Sequence, residues 1–246
     1  MYQNKLIPKV NLIAEIQPQF SGSMSRAQMM VQQCKLAGAD SVKVQLYDSQ
    51  ALFGNKDREY LQFDKSELKD LKTYCDHVGI ELFASVFSAD RVEWCEELGL
   101  QTYKIASRTI ADVDLCKQIL ATGKKVLISL GAWDWKTKGM PFEDENVVYF
   151  YCVSKYPTIN AEVEMPVFGP HQFLGYSDHT PGIGASLFAV ARGAEYVEKH
   201  FTPNRALQNP TELAHLGGMD FDELRQLRNL TDEISMLRLN ALEGAK

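Results

Sequence analysis

The sequence predicts an α/β fold, a single (β/α)8 or TIM barrel that spans residues 1–246 as one domain. Short apolar, β-branched runs alternate with amphipathic segments along the chain, and this alternation favours parallel strands joined by right-handed helical crossovers. The runs number eight, which is the strand count of a closed barrel of about 250 residues. An open doubly wound sheet has the same local pattern, but its typical GxGxxG turn does not follow the first run.

The predicted strands are short, and most of them end in polar residues. In chain order they are LIAEI (12–16), SVKVQL (41–46), ELFASV (81–86), TYKIAS (102–107), KVLISL (125–130), VVYFYCV (147–153), FLGYSD (173–178) and YVEKHF (196–201). The predicted helices are SRAQMMVQQCKLAG, SELKDLKTYCDHVG, ADRVEWCEELG, ADVDLCKQILATG, GIGASLFAVARG and a long final helix from FDELRQL. The first four begin near polar caps, and the first five all end in Gly. WDWKTKGMPFEDE and the EVEMPVF region predict only short or distorted helices after the fifth and sixth strands.

The composition is that of a soluble globular protein. Of its residues, 45% are hydrophobic and 24% are charged, and the net charge is −6, which is not the basic balance expected of a protein that binds nucleic acid or an anionic membrane. The start, MYQNKLIPKVNLIAEI, lacks the pattern of a signal peptide. No apolar run approaches the roughly 18 residues of a membrane span. These features predict a cytoplasmic protein without nucleic-acid or membrane partners.

The cysteines favour a reducing compartment. The chain contains five of them, an odd number, and no CxxC pair. Four fall in predicted helices and the fifth falls in an apolar strand. This distribution predicts reduced, mostly buried thiols and not a disulfide framework.

Polar side chains stand at the carboxyl ends of the predicted strands, where barrel enzymes carry their chemistry. Residues two apart point the same way on a strand, which places four pairs on shared faces: Lys43 with Gln45, Ser154 with Tyr156, Ser177 with His179, and Glu198 with His200. Four further polar residues lie in or at the end of other strands: Glu15, Lys104, Ser107 and Ser129. Together they predict the rim of an active site.

This rim indicates an anion site beside a metal site. Lys43 or Lys104 alone would be expected to reach solvent or pair with a carboxylate, but together with nearby serines they suit a phosphate or carboxylate. His179 or His200 alone would be read as a structural histidine, but two at adjacent strand ends favour a divalent metal. Trp133, near the end of the fifth strand, and its neighbour Trp135 are compatible with core packing and with substrate stacking alike.

Seven stretches occur in a fixed order along nearly the whole chain. They are AEI (14–16), AGADSVKVQ (37–45), LGLQTYKIAS (98–107), SLG (129–131), CVSKYP (152–157), GYSDHTPGIGA (175–185) and GAEYVEKHF (193–201). This set resembles the N-acetylneuraminate (sialic acid) synthase family. The resemblance implies a barrel that condenses phosphoenolpyruvate with a sugar aldehyde, releases phosphate and forms a 2-keto-3-deoxy sugar acid. It also implies a divalent metal, expected to be Mn²⁺, with Mg²⁺ or Co²⁺ as alternatives.

The resemblance also implies roles for residues. His179 and His200 would bind the metal. Phosphoenolpyruvate would be held by five residues, namely Lys43, Lys104, Ser107, Ser129 and Ser177. Ser154 would add a further polar contact. The sugar and the reacting centre would be lined by Glu15, Gln45, Tyr156 and Glu198. Glu15 or Glu198 is the expected general base for the water that adds to the substrate, provided that its surroundings raise its pKa.

The chain departs from the family pattern at several positions. Gln17 and Phe20 stand where the family has Gly and His, Arg108 and Thr109 replace a Gly-Glu pair, and Thr211 replaces a sugar-contacting Asp. These changes point to a different acceptor. Arg108 is expected to bind an acidic or phosphorylated acceptor or to pair with a neighbouring Asp.

Two alternatives remain open. The protein is either a synthase of another keto-deoxy acid, of legionaminic, pseudaminic or shorter type, or a catalytically silent barrel that binds a sugar or a partner protein. The family's C-terminal antifreeze-like domain, which typically carries its dimer contact, is not recognised in the sequence. Any homo-oligomer is therefore expected to use another surface.

Overall fold

The structure is a computed structural model that describes residues 9–170, 172–206 and 214–244. Eight parallel strands form a closed barrel in which each strand pairs with the next along the chain and the last pairs with the first. The strands are β1 (Asn11–Glu15), β2 (Ser41–Leu46), β3 (Glu81–Val86), β4 (Thr102–Ile105), β5 (Lys125–Ser129), β6 (Val147–Cys152), β7 (Gly175–Asp178) and β8 (Tyr196–His200). The predicted (β/α)8 barrel is confirmed.

The helices form an outer ring of uneven thickness. They are α1 (Met24–Ala37), α2 (Ser49–Phe53), α3 (Lys65–Val78), α4 (Ala89–Glu97), α5 (Val113–Leu120), α6 (Trp135–Lys138), α7 (Gly184–Ala191) and α8 (Phe221–Gly244). Short 3-10 turns occur at Glu59–Leu61, Thr109–Ala111, Asn160–Glu162 and Ala214–Gly217. The ring is thin where the sequence predicts it, since α6 is a single turn and only a 3-10 turn follows β6.

Local sequence accounts for the ends of the helices. The Ser23 hydroxyl accepts a hydrogen bond from the Arg26 amide at the start of α1, and Asp64 and Glu67 form a capping box at the start of α3. Gly38 ends α1 with φ at 97°, and a Cβ there would lie 2.7 Å from Cγ of Arg228. Glycine is therefore required at this position both by the backbone and by the packing of α8 on α1.

The predicted strand boundaries agree with the observed ones to within two residues. The predictions for β4 and β5 run too far, because Ala106 and Leu130 continue the apolar runs after the ladder has ended, and Ser107 follows Ala106 without a turn signal. These residues belong to the loops over the mouth of the barrel. Residue type alone does not reveal the point at which neighbouring strands diverge.

Side-chain alternation along the strands divides the barrel interior into layers. A small cluster separate from the main core fills the interior and consists of Ile13, Phe83, Leu127 and Phe150. Two residues further along three of these strands stand buried polar side chains, namely Glu15, Ser85 and Ser129. Because the side-chain period of a strand is two, they point to the same interior one layer closer to the carboxyl ends. The barrel interior is thus filled by apolar residues in the inner layer and lined by polar residues in the layer nearer the carboxyl ends of the strands.

All five cysteines are buried and unpaired, as the sequence predicts. Burial raises the pKa of the thiols of Cys75 and Cys95 to about 12, so both stay protonated near neutral pH. Within the described ranges, no helix combines the length and the apolar character needed to cross a bilayer.

Candidate active site

Two lysines and two glutamates form one connected cluster inside the barrel mouth. Lys43 Nζ lies 2.8 Å from Glu15 Oε2 and 3.0 Å from Glu198 Oε1. Lys104 Nζ lies 2.7 Å from the other oxygen of Glu198. All four side chains are buried, with at most 9% of any side chain exposed. Glu198 therefore bridges the two ammonium groups, and the four charges sum to zero.

The surroundings shift the four pKa values in different directions. Burial raises the pKa of Glu15 above its ordinary value, although the Lys43 ammonium opposes this. Burial also acts to raise the pKa of Glu198, but the charges of Lys104 and Lys43 outweigh it and hold that pKa well below its usual range. Burial lowers the pKa of Lys104, which Glu198 offsets only in part. Burial disfavours the charged form of Lys43 too, but attraction to its two carboxylates raises its pKa.

Serine hydroxyls extend the cluster on one side. Ser177 Oγ lies 3.4 Å from Lys104 Nζ and 2.8 Å from Ser129 Oγ, and all three groups are buried. Ser85 Oγ accepts a hydrogen bond from Lys43 Nζ at 3.3 Å. The arrangement places ammonium and hydroxyl donors around one buried space, which is what binding of a small oxyanion requires.

Gln45 and Gln17 hold the carboxylate of Glu15 from the other side. The Gln45 amide lies 3.4 Å from Glu15 Oε2, and the Gln17 backbone N–H donates to Glu15 Oε1 at 3.0 Å. The Gln17 side chain donates to the Leu61 carbonyl and accepts from the Gln45 backbone. Gln17 was identified in the sequence only as a departure from the family pattern. In the structure it connects β1, β2 and the turn that contains Leu61.

His179 and His200 lie at the ends of the neighbouring strands β7 and β8, with ring centroids 6.2 Å apart. The Nδ1 of His179 donates to the Val153 carbonyl at 2.8 Å, so Nε2 is the ring nitrogen left for another partner. Burial acts to lower the pKa of His179, but Cys152 and the Val153 carbonyl outweigh it and raise that pKa. Burial is the main cause that lowers the pKa of His200 well below its ordinary value, and the His179 and Lys43 charges act in the same direction. The imidazole of His200 is therefore neutral, which is the form that binds metals.

The two imidazoles fit a divalent metal. The Nδ1 of His200 is buried without a hydrogen-bond partner among the described residues, so a lone pair is available there. Two metal–nitrogen bonds of about 2.1 Å place ring centroids roughly 5.3 Å apart at a tetrahedral angle, so the two rings would approach by about 1 Å to share one ion at that angle. Over the described ranges, no cluster of three or more His, Cys, Asp or Glu side chains suited to a metal is present. Water or substrate oxygens would therefore complete the coordination of an ion held by this pair.

The other residues predicted for the site lie further out, on the loops. Ser107 accepts a hydrogen bond from the Gly131 amide at 3.1 Å. A Cβ on Gly131 would lie 2.7 Å from Ser154 Oγ, so exposed Ser154 is packed close above this glycine. The Tyr156 ring lies 4.0 Å from that of His179 and is 43% exposed. Within the described residues, no hydrogen bond connects these side chains to the four central charges.

Arg108 follows β4 and is exposed at the mouth, with its guanidinium carbon 5.1 Å from the centre of the Phe53 ring. No ion pair joins it to a carboxylate of the described residues, so the expected alternative of pairing with a neighbouring Asp is wrong for that part of the chain. Its neighbour Thr109 is buried. Thr211, a further predicted departure, lies outside the described residues.

Three aromatic residues prove to be packing residues. Phe20 is buried and stacks on Phe63 with centroids 4.7 Å apart. Trp135 meets Phe173 edge-on at 5.0 Å, and the Trp133 indole donates to the Gly139 carbonyl. Both tryptophans pack against the main core. Of the two interpretations of these tryptophans, the structure favours core packing.

Comparison with known proteins decides the family. The sequence model of the NeuB family matches residues 30–239 of the chain. The chain belongs to the NeuB family.

The NeuB-family relatives include synthases of several sugar acids. The chain is 30% identical to a pseudaminic acid synthase of Campylobacter jejuni over 89% of its own length and 72% of that protein. It is 26% identical to the N-acetylneuraminate-9-phosphate synthase of Homo sapiens, covering 87% of this chain and 67% of that protein. A crystal structure of an N-acetylneuraminic acid (sialic acid) synthetase from Leptospira borgpetersenii serovar Hardjo-bovis superposes with a TM-score of 0.82 and 28% identity, covering 93% of this chain and 85% of that one. The family predicted from the sequence motifs is confirmed.

Sequence reasoning missed two features of the candidate site. Ser85 lies on β3 opposite Lys104 and two residues after Phe83, so the period-two pattern was a sufficient signal. Asp178 and Lys199 form a second buried ion pair, 3.1 Å apart, directly before the two histidines. The signal in this case was a charged residue at each of two adjacent outward-facing strand positions, which usually carry apolar residues.

Replacing Glu198 with Gln is expected to lower the free energy of unfolding by about 3 kcal/mol, because two buried ammonium groups lose their shared carboxylate. Added inorganic phosphate should recover part of the loss, since an anion can pair with the exposed charges. Urea unfolding with and without phosphate measures both effects. The control is Glu97→Gln, which breaks an exposed ion pair with Lys65 and should cost less than about 1 kcal/mol. Equal losses in the two variants, or a loss that phosphate does not change, would contradict this assignment.

Proposed function

We propose that this protein condenses phosphoenolpyruvate with the open-chain aldehyde of a sugar, with release of inorganic phosphate and formation of a 2-keto-3-deoxy sugar acid. The observation that carries the proposal is the buried cluster of two lysines and two serines beside the two histidines at the ends of β7 and β8. The names of the NeuB-family relatives, which are synthases of pseudaminic, legionaminic and sialic acids, support the same reaction class.

Phosphoenolpyruvate would bind at Lys104, Ser177 and Ser129. An ammonium group has three N–H donors, and two of those of Lys104 are directed at Glu198 and Ser177. One donor therefore remains for an incoming anion. Lys43 is more fully engaged, because Glu15, Glu198 and Ser85 all lie within 3.3 Å of its Nζ. Lys43 would therefore attract the substrate anion mainly through its charge and not through a new hydrogen bond. Ser107 and Ser154 would close the site from the loops.

The metal site would be formed by His179 and His200, with Mn²⁺ as the expected ion and Mg²⁺ or Co²⁺ as alternatives. When bound, the ion would act as a Lewis acid that polarises the aldehyde oxygen of the sugar. The chain's own part is to present two imidazoles beside the anion site, of which His179 would give up its second ring proton when the metal binds. The hydrogen bond from His179 to the Val153 carbonyl fixes the orientation of that ring, as is usual for metal-binding histidines.

The reaction would join C3 of phosphoenolpyruvate to the aldehyde carbon, and the aldehyde oxygen would take up a proton. Water would then add at C2 and give a proton to a base, and the C2–O bond to phosphate would break to leave the ketone. A general base is most effective when its pKa lies near the working pH. The pKa of Glu15 is raised and so shifted towards this range, whereas the pKa of Glu198 is lowered and shifted away from it. We therefore assign the base to Glu15 and an electrostatic role to Glu198, which holds both lysines in place.

The acceptor is proposed to carry an anionic group, a carboxylate or a phosphate. The charges inside the barrel already sum to zero, and Arg108 stands at the mouth without a carboxylate partner among the described residues. Its charge acts on the Tyr156 phenol, whose ring packs at a tilt against that of His179, so Arg108 lies beside the path into the site. The Phe53 ring under its guanidinium would hold it in a fixed orientation.

Replacing Arg108 with Ala is expected to raise the KM for an anionic acceptor about tenfold or more, because one charge-assisted contact of about 1.5–3 kcal/mol is lost. The KM for phosphoenolpyruvate and for a neutral analogue of the sugar should stay within about twofold. Steady-state kinetics with matched anionic and neutral acceptors measures the difference. Arg91→Ala is the control, since Arg91 also stacks on an aromatic ring, that of Trp94, but does so on α4. An equal change in KM for anionic and neutral acceptors would contradict the role of Arg108.

The proposed reaction is tested by phosphate release from phosphoenolpyruvate in the presence of Mn²⁺ with a panel of aldehyde sugars. The panel contains N-acetylmannosamine, diacetamido sugars, free pentoses and hexoses, and their phosphorylated and carboxylated forms. We expect release that depends on one class of sugar and stops when EDTA removes the metal. Release without any sugar, or silence across the panel from a protein that binds Mn²⁺, would contradict the proposal.

A further inference from the structure

Asp178 and Lys199 form an ion pair on the outer side of the strands that carry the histidines. The Lys199 ammonium lies 3.1 Å from Asp178 Oδ2, and neither side chain has any exposed surface. The two residues are paired in register on β7 and β8. Each stands directly before one histidine in the sequence, His179 or His200. The ion pair therefore joins the two strands at the point where the histidines leave them.

The same two side chains also hold the residue that follows His179. Asp178 Oδ1 accepts hydrogen bonds from both the backbone N–H and the hydroxyl of Thr180, each at 2.8 Å. Lys199 Nζ donates to the Thr180 carbonyl at 2.5 Å. Asp178 Oδ2 accepts from the Ser186 hydroxyl in the first turn of α7 at 2.6 Å. Both backbone groups of Thr180 are thus bound by the pair, and the loop after β7 is tied to α7.

Other contacts restrict the backbone of each histidine from the opposite side. The His179 carbonyl accepts from the Thr158 amide at 3.1 Å, and a Cβ on Gly217 would lie only 2.6 Å from the same oxygen. The His200 carbonyl accepts from the Met219 amide at 2.7 Å. These contacts hold the backbone carbonyls of the two histidines. A shift of Thr180 or of the ends of β7 and β8 would therefore turn the histidines about these carbonyls and change the distance between the two imidazoles.

We propose that Asp178 and Lys199 are a positioning pair that fixes the separation of His179 and His200 and thereby sets the affinity of the site for a divalent metal. This inference rests on the proposed function, in which the two imidazoles share one ion. A buried ion pair is often no more stabilising than apolar side chains of similar volume. Stability alone therefore does not account for two charges at outward positions between strands and helices. The geometry accounts for them, because the ion pair and the bonds to Thr180 define one arrangement of the strand ends.

The test compares Asp178→Asn with the double variant Asp178→Asn/Lys199→Met. The single variant leaves a buried ammonium without its counter-ion and should melt at a lower temperature. The double variant removes both charges at nearly constant volume, so its melting temperature should return towards that of the unmodified protein. Its dissociation constant for Mn²⁺, measured from the free-ion EPR signal, should remain weaker by about tenfold or more, as expected when the support of a metal ligand is lost.

Asp40→Asn is the matched control. It breaks a largely buried ion pair with Arg228, 3.1 Å long, that lies before β2 at the opposite end of the barrel. It should lower the melting temperature without changing Mn²⁺ affinity. The proposal is overturned if the double variant binds Mn²⁺ as tightly as the unmodified protein, or if Asp40→Asn weakens binding to the same extent. An unmodified protein that binds no Mn²⁺ would instead remove the metal from the proposed function, and the positioning role with it.

Discussion

Replacing His200 with Ala is expected to reduce metal-dependent turnover by roughly a thousandfold or more. A Lewis-acid ion contributes several kcal/mol to stabilisation of the transition state, and each 1.4 kcal/mol changes a rate about tenfold. The imidazole is buried, and its Nδ1 has no hydrogen-bond partner among the described residues, so its loss breaks the bond between the ring and the Gln17 backbone but leaves no charged side chain without its partner. The fold should therefore persist. His179→Ala is expected to have the same effect on turnover, with an additional small loss of stability from its bond to the Val153 carbonyl.

The measurement is the turnover of each variant at saturating Mn²⁺, together with Mn²⁺ affinity and the melting temperature. His77→Ala is the control, because His77 is exposed on α3, away from the barrel mouth. It should retain full activity. Turnover near that of the unmodified protein in either His179→Ala or His200→Ala would refute the assignment of these histidines to the metal.

Replacing Lys104 with Met is expected to weaken phosphoenolpyruvate binding about tenfold to a hundredfold. Hydrogen bonds to charged groups contribute about 1.5–3 kcal/mol each, and this ammonium has a donor left for the substrate in addition to those directed at Glu198 and Ser177. Met preserves most of the stem volume at a position that is only 2% exposed, so the change in binding is not obscured by a cavity. Glu198 keeps Lys43 as its partner and remains ionised.

The dissociation constant for phosphoenolpyruvate, measured calorimetrically without an acceptor, reports this effect directly. Lys124→Met serves as the control: it removes a lysine that is ion-paired with Glu96 outside the barrel interior and should leave binding unchanged. An unchanged dissociation constant in Lys104→Met would show that the anion binds elsewhere.

The architecture was predictable because alternation of strand and helix patterns is a property of the whole chain. Eight apolar runs separated by amphipathic segments admit few folds, and the resulting barrel places every strand end at one mouth. The ends of β4 and β7 were less well predicted, because apolar residues such as Leu174 continue the strand pattern outside the ladder. The thin part of the helical ring after β5 and β6 was predictable, because the segments that follow these strands show little helical periodicity in the sequence.

The candidate site was predictable in its composition but not in its pairing. The sequence indicated Lys43, Lys104, Glu15 and Glu198 as neighbours, yet only the structure shows that Glu198 bridges both lysines. That bridge gives the two glutamates opposite pKa shifts, and it depends on contacts between residues more than 90 positions apart. The role of Gln17 was hidden for the same reason, since its partners lie on β2 and in a distant turn.

The most direct test of the account is the fate of the carbon at C3 of phosphoenolpyruvate. Phosphoenolpyruvate labelled with ¹³C at C3 is incubated with the protein, Mn²⁺ and an accepted sugar, and the product is followed by NMR. The account predicts that the label becomes a methylene carbon bonded to the former aldehyde carbon, with one phosphate released for each product formed. Label found in the methyl group of pyruvate would show hydrolysis without formation of a carbon–carbon bond and would contradict the account.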